Sequence, residues 1–309
     1  MHEDPAQLGL AVSEKGLDEV LLDIEVLVVE LGELVLVNAS GKRLRFKAQQ
    51  VLRIEANWTT EHLEGNEHLA RRQYAQAVSS FQAAARREPR PWVQRLIVAR
   101  LAEAYRELGQ YAQAAELFLE LVESDPDTPW FDVAPLVWLG GSVSPQLEER
   151  ARQWLQDESR PAAVLLAASH LLHTARHEQA LGRLETLADA ADARYRALAR
   201  GQLWRAALQQ ASPEQLERWS LEAEAFPACA LPGVAIVLAR GHAARKNYLA
   251  AALWGLRGAV LFPEHALLAA EGLWQAGTAL EKAGHGPLAA RVLAELAARY
   301  PDNRLARLA

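Results

Sequence analysis

Three histidines have the most metal-like spacing in this 309-residue chain. His170, His173 and His177 recur at i, i+3 and i+7, and imidazole nitrogens so spaced can bind zinc. No cysteine, aspartate or glutamate nearby completes a ligand set around them. We therefore predict no metal site, and nothing else in the sequence indicates a cofactor.

Tryptophans suggest a second kind of chemistry, the stacking of indoles against sugar rings. The chain has nine of them. A glycosidase also needs two opposed carboxylates, but most acids here stand singly on polar helix faces. Asp132 and Glu148 or Glu149 are the candidate acids near the aromatic stretch Trp130–Trp138. A helical-repeat enzyme or accessory subunit, with a small-molecule or glycan site near Trp130–Trp138, is the alternative function.

Nucleophilic catalysis finds no support in the remaining motifs. The one cysteine, Cys229, lies between Pro227 and Pro232 and is predicted to be a small buried residue. The sequence contains no Gly-x-Ser-x-Gly elbow, phosphate-binding glycine loop or His-Glu-x-x-His helix. These observations predict a protein that is not an enzyme.

Composition and charge narrow the class of partner. Half of the residues are hydrophobic and 23% are charged, enough apolar material for one elongated domain or two ordinary ones. The formal net charge of −6 gives no support to nucleic-acid or anionic-membrane binding. No run approaches the ~20 apolar residues of a membrane span. The excess of arginine over lysine and the many alanines are typical of a GC-rich bacterial genome.

Residues 1–57 are predicted to form a small antiparallel β module. Apolar residues from Val20 to Val28 alternate in part, and turn signals follow at Gly32–Glu33 and 38–41. Leu44 and Phe46 alternate with basic residues, as in a half-buried strand. Such short strands indicate an SH3-like or Sm-like barrel or an open sheet.

From residue 58 onward the pattern is helical and repeats. Prolines end successive apolar-periodic segments, and Ser144 and Ser212 each precede a proline in the manner of an N-cap. Two stretches, 62–89 and 96–126, place a small residue, a tyrosine, an alanine, a phenylalanine and a proline at matching offsets. The same frame returns in 233–263 and 271–301.

These repeats resemble the tetratricopeptide repeat family, whose period is ~34 residues. The best single match is the stretch from Tyr105 to Ala114. The resemblance implies a right-handed α-solenoid of helical hairpins over residues 58–309, in which a small residue of each first helix lies against the second. The frame places a turn at 174–176, which takes His177 onto a new helix. An irregular insertion is expected at about 127–143.

The resemblance also implies a function. Members of the family usually bind an extended peptide or a helix of a partner protein in a concave groove lined by the first helix of each hairpin. We therefore expect a non-enzymatic interaction scaffold with another protein as its partner. The groove positions carried over to this sequence are His62, Asn66, Glu103, Arg106, Arg240, Trp274 and Thr278.

The cellular compartment is predicted from the first residues. Met1 is followed by neither a basic nor an apolar segment, so no signal peptide is seen and the cytoplasm is expected. If the true start lies upstream of Met1, a signal would be missing and the periplasm becomes the alternative.

Overall fold

The computed structural model describes residues 58–140 and 143–308 in full. Nearer the N-terminus it describes the backbone of five strands between residues 9 and 55. The turns predicted at Gly32 and at 39–41 lie outside the described residues. None of the described helices combines the length and the apolar character needed to cross a lipid bilayer.

The five strands pair in two antiparallel sheets. They are Gly9–Val12 (β1), Ile24–Glu30 (β2), Glu33–Asn38 (β3), Arg43–Lys47 (β4) and Val51–Glu55 (β5). β1 pairs with β5, and β3 lies between β2 and β4. β1 precedes the segment in which the sequence predicts strands. The SH3-like or Sm-like barrel and the domain limit at residue 57 stay predictions.

Residues 58–140 and 143–308 contain helices and no strand, which confirms the helical class predicted for this part of the chain. The α-helices are Thr60–Ala70 (α1), Tyr74–Arg87 (α2), Pro91–Glu107 (α3), Tyr111–Ser124 (α4), Pro145–Trp154 (α5), Pro161–Leu171 (α6), His177–Ala188 (α7), Ala193–Ala207 (α8), Pro213–Ala223 (α9), Leu231–Ala244 (α10), Tyr248–Leu261 (α11), Ala266–Lys282 (α12) and Gly286–Arg299 (α13). Short 3-10 helices occur at Phe131–Val133, Ala228–Ala230 and Arg304–Arg307.

The predicted helix boundaries are confirmed at both kinds of end. Ser144 and Ser212 cap α5 and α9, their hydroxyls accepting from the amides of Leu147 and Gln215. A proline is the first residue of each of these helices, where it costs no hydrogen bond. Prolines follow the ends of α2, α4, α9, α11 and α13, because a proline cannot continue a helix and disfavours helical backbone before it.

The tight turns inside four helix pairs use the same backbone device. The residue two positions before the second helix has a positive φ of 58° at Arg72, 73° at Gly109, 62° at Lys246 and 83° at Gly284. Left-handed backbone at this position lets each connection be completed in three residues. Gly109 and Gly284 adopt this conformation without strain, whereas at Arg72 and Lys246 the Cβ atom makes it unfavourable.

The chain divides into two compact units. The first comprises Met1–Leu108 and Glu120–Pro129, and the second comprises Gly109–Leu119 and Trp130–Ala309. Within the first, α1 packs on α2 and α2 on α3. Within the second, α5 packs on α6, α6 on α7 and α7 on α8. In the same unit α9 packs on α10, and each helix from α10 to α12 packs on the one that follows it.

Small residues let the two helices of a pair approach closely. A Cβ atom added to Gly65 on α1 would lie 2.7 Å from the ring of Phe81 on α2. One added to Gly277 on α12 would lie 2.5 Å from Leu293 on α13, at the same offset in its helix pair. Both contacts are too short for any side chain at the small residue. They confirm the close crossing that the resemblance predicts at these positions.

The backbones of α11 and α12 also nearly touch. A Cβ atom on Gly255 would lie 2.5 Å from the carbonyl oxygen of Gly272. α11 and α12 are therefore packed through their backbones at this point.

Replacing Gly284 by alanine is expected to destabilise the chain by about 1 kcal/mol, because a Cβ atom strains left-handed backbone. No described atom lies within 4 Å of that Cβ position, so the cost is conformational. Lys246→Gly, at the matching turn, is expected to stabilise by about 0.5 kcal/mol. Urea unfolding followed by circular dichroism measures both changes, and opposite signs would contradict this reading.

Candidate functional site

In the first unit, α1 carries two of the residues predicted to face a partner. His62 is buried and lies between aromatic rings, stacked on Trp58 at 4.5 Å and edge-on to Phe81 at 5.9 Å. Its Nδ1 atom is buried without a hydrogen-bond partner. Burial, reinforced by Arg100 and Arg90, lowers the pKa of His62 despite an opposing effect of Glu88, so the ring is neutral. Asn66, one turn further, is half-buried.

The predicted residues of α3 are also buried. Glu103 is 7% exposed and accepts from the guanidinium of Arg100 at 2.9 Å. Arg106 is 8% exposed and pairs with the carboxylate of Glu107 at 3.2 Å. Both charges are therefore neutralised by partners on their own helix. The family frame had placed these residues on the open face of the helix.

In the second unit, α10 and α12 place the remaining predicted residues together. Arg240 on α10 donates from Nε and a terminal nitrogen to Oε1 of Glu271 on α12, at 3.2 and 2.7 Å. Gln275 donates to the same oxygen at 2.9 Å. Glu271 is buried, whereas the Arg240 side chain is about one third exposed. Glu271 thus fixes the arginine and cancels its charge.

Trp274 and Thr278 continue this surface along α12. Both are half-buried and stand one helical turn apart. The Thr278 hydroxyl donates back to the carbonyl of Trp274 at 2.9 Å, so its methyl group is the part left for contact. A half-buried indole one helical turn from the Arg240–Glu271 pair suits an apolar or polar peptide better than an anionic one.

The three histidines considered as a metal set are separated. α6 ends at Leu171 and α7 begins at His177, which confirms the turn predicted between them. His170 is buried and its Nε2–H donates to the carbonyl of Pro135 at 3.0 Å, while His173 is exposed. Across the described residues, no group of three or more potential ligands could hold a metal ion.

Trp138, one of the two tryptophans of the alternative glycan site, is a core residue. Its indole is 8% exposed and lies against Gly233 at the start of α10, where even a Cβ atom would overlap the ring. Gly201 on α8 gives the same ring a second close neighbour. Both glycines are needed for the ring to fit, and a buried ring is not available for stacking on a sugar.

Buried polar side chains hold the stretch that contains Trp138. The Val137 amide donates to the Ser169 hydroxyl at 2.9 Å, and the Gln202 amide donates to the Val137 carbonyl at 3.1 Å. Ser169 also donates to Gln202 at 3.1 Å, closing the set. Ser169 and Gln202 are at most 1% exposed. This network was not predicted from the sequence, in which a serine and a glutamine on otherwise apolar helix faces were the available signal.

Cys229 is not a nucleophile in this environment. Burial, followed by the negative charge of Asp132, raises the pKa of Cys229 to about 12. The thiol therefore stays protonated at neutral pH, and the thiolate is the reactive form. The prediction of a small buried cysteine agrees with this, although the residue is half-buried rather than fully enclosed.

The free energy of unfolding is expected to decrease as the pH is lowered, partly because of His170. Burial lowers the pKa of His170 to about 4 from an unfolded value of 6.5. The unfolded chain therefore takes up the proton first, so the contribution is complete above pH 6.5 and lost on the way down to pH 4. Between pH 7.5 and 4.5 the wild type should lose about 2 kcal/mol more than His170→Gln in urea unfolding. Equal losses would contradict this assignment.

Gly233→Ala is expected to destabilise the second unit by about 3 kcal/mol or more, because the methyl group overlaps the Trp138 indole. Trp138→Leu in the same chain should recover part of the loss by removing the overlap. Thermal unfolding of both variants is the measurement. A Gly233→Ala protein as stable as the wild type would show that the ring does not occupy this place.

Comparison with known protein families finds a match for residues 68–133 of the chain. The profile of the tetratricopeptide repeat family matches residues 68–133. No curated protein matches. Among solved structures, the chain resembles PilW, a widely conserved type IV pilus biogenesis factor, at 16% identity and a TM-score of 0.33, over 80% of this chain and 96% of that one. The resemblance to the tetratricopeptide repeat family seen in the sequence is therefore confirmed over residues 68–133.

Proposed function

We propose that this chain is a non-enzymatic scaffold that binds a peptide or helix of a partner protein in the concave groove formed by hairpins of this family. The observation that carries the proposal is the repeat at residues 68–133. Tetratricopeptide repeats generally mediate contacts between proteins and are typically not catalytic. The cytoplasmic location stays a prediction, with the periplasm as the alternative.

The seven groove residues divide by exposure into two roles. Asn66, Arg240, Trp274 and Thr278 retain accessible surface and are proposed to contact the partner. His62, Glu103 and Arg106 are buried and are proposed to hold the contacting helices in place. A charge that is already paired inside the chain would lose that partner if it turned outward, which costs free energy.

Trp274 is the residue proposed to contribute most to affinity. Tryptophan is enriched among interface residues whose truncation costs 2 kcal/mol or more. Arg240 lies on the neighbouring helix and is fixed by Glu271, so little side-chain entropy is lost when a partner binds against it. The proposed partner segment therefore places an apolar side chain against the indole and a hydrogen-bond acceptor near the guanidinium.

The alternative of a glycan or small-molecule site near Trp130–Trp138 receives no support from the geometry. Of its two tryptophans, Trp138 is enclosed by α8 and α10. The stretch is held by core hydrogen bonds from Ser169 and Gln202. It is better explained as a structural segment of the second unit.

Photo-crosslinking locates the binding face directly. With benzoylphenylalanine at Thr278, we expect one protein of the native lysate to be crosslinked, and Trp274→Ala in the same chain should lower the yield by about tenfold. The matched control carries the crosslinker at Leu253, which is 68% exposed on α11. Equal crosslinking at both positions, or crosslinking at Leu253 alone, would contradict the proposed face.

A further inference from the structure

Three helices of the second unit border an open cleft, and none of the seven proposed groove residues lines it. Its volume is about 500 Å³, within the range of ligand-binding pockets. α7, α8 and α9 all contribute to it. The residues that line it are His177, Leu181, Glu185, Leu203, Trp204, Ala206, Ala207, Gln210, Gln215 and Trp219.

The lining combines an apolar interior with a few polar groups. His177, Leu181 and Glu185 recur at i, i+4 and i+8, so one face of α7 forms one side. α8 supplies Leu203 and two alanines, whose small side chains leave the space open. An apolar side chain of a ligand would therefore find apolar neighbours from all three helices.

Two tryptophans in the lining have unused hydrogen-bond donors. The indoles of Trp204 and Trp219 stack at 5.2 Å with an angle of 8° between their planes. Neither Nε1–H donates to a described residue, and neither belongs to the buried polar atoms that lack a partner, so both reach solvent. Trp254, by contrast, donates to Ser220 at 3.2 Å. Both residues line the cleft but are only 6% and 8% exposed, so a ligand could reach no more than the edge of either indole.

The charge of the cleft is negative. Glu185 is exposed and forms no ion pair with any described residue, whereas Arg183 on the same helix is paired with Glu158. No arginine or lysine lines the cleft. The Nδ1–H of His177 donates to the Leu172 carbonyl at 2.6 Å, which leaves Nε2 as the ring nitrogen available to a ligand. A ligand that donates hydrogen bonds and carries positive charge complements these groups.

We propose that the cleft between α7, α8 and α9 binds a short segment of a partner protein. This segment places an apolar side chain against Leu181, Leu203 and Trp219, and a lysine or arginine at Glu185. Backbone carbonyls of the segment accept from the indole N–H groups. The site is separate from the surface around Trp274, so the partner can differ from the one bound there.

Fluorine NMR of the full chain labelled with 5-fluorotryptophan tests the proposal. Trp204→Phe and Trp219→Phe assign the two signals, and the other seven of the nine tryptophans serve as internal controls. The probes are acetyl-Leu-Arg-Leu-amide and the matched acetyl-Leu-Glu-Leu-amide. We expect the arginine peptide to shift the signals of Trp204 and Trp219, with at least about fivefold tighter binding than the glutamate peptide. The Trp274 signal should not move.

Two variants make the test specific. Glu185→Lys changes only an exposed side chain and should reverse the preference between the peptides. Ala206→Phe fills the cleft and should abolish both shifts. The proposal is overturned if neither peptide moves the two signals, if Glu185→Lys leaves the preference unchanged, or if acetyl-Arg-amide alone binds as well as the tripeptide. A shift of Trp274 with these two signals unmoved would also overturn it, while leaving the groove proposal standing.

Discussion

The close approach of paired helices is the constraint on which the rest of this structure depends. Gly65 receives the ring of Phe81, Gly277 receives Leu293, and the backbones of α11 and α12 meet at Gly255. A single hairpin cannot bury its apolar faces alone, so each pair is stabilised by its neighbours. The residues that remain on a surface are those that no neighbouring helix covers, and Trp274 and Thr278 are among them.

A second constraint comes from the irregular stretch around Trp138. Its indole replaces a helix face as a packing surface for α8 and α10, and its backbone is satisfied by Ser169 and Gln202. Buried polar groups that are fully paired specify one arrangement, because leaving any of them unpaired is costly. The interruption of helical structure is thus part of the core, and it positions α10, which carries Arg240.

Much of the helical architecture was predictable because its signals are local. A proline after a helix, a serine at an N-cap, and a glycine facing a ring in the same hairpin all involve residues near one another in sequence. The contact of Trp138 with Gly233 was not predictable, because the two residues are far apart in the sequence and no local pattern around either one indicates the other. The burial of Glu103 and Arg106 was not predictable for a different reason. The family frame gives a helical face, but whether a charged residue there stays exposed depends on partners such as Arg100 and Glu107.

The two candidate binding surfaces consist of side chains that keep exposed area or unpaired polar groups after the core has formed. On α12 the indole of Trp274 keeps accessible area beside a fixed, neutralised arginine, and at α7–α9 a carboxylate and two indole donors have no partner among the described residues. The two surfaces differ in charge and in the helices that form them.

Hydroxyl-radical footprinting read by mass spectrometry, with and without the crosslinked partner, tests whether the partner binds at Trp274 and Thr278 on α12. It reports the solvent exposure of individual side chains. We expect the partner to protect Trp274 and Thr278 from oxidation, while Leu249 and Leu253, exposed on α11, are oxidised as in the free chain. Protection of the α11 leucines with Trp274 unchanged would contradict a binding face on α12.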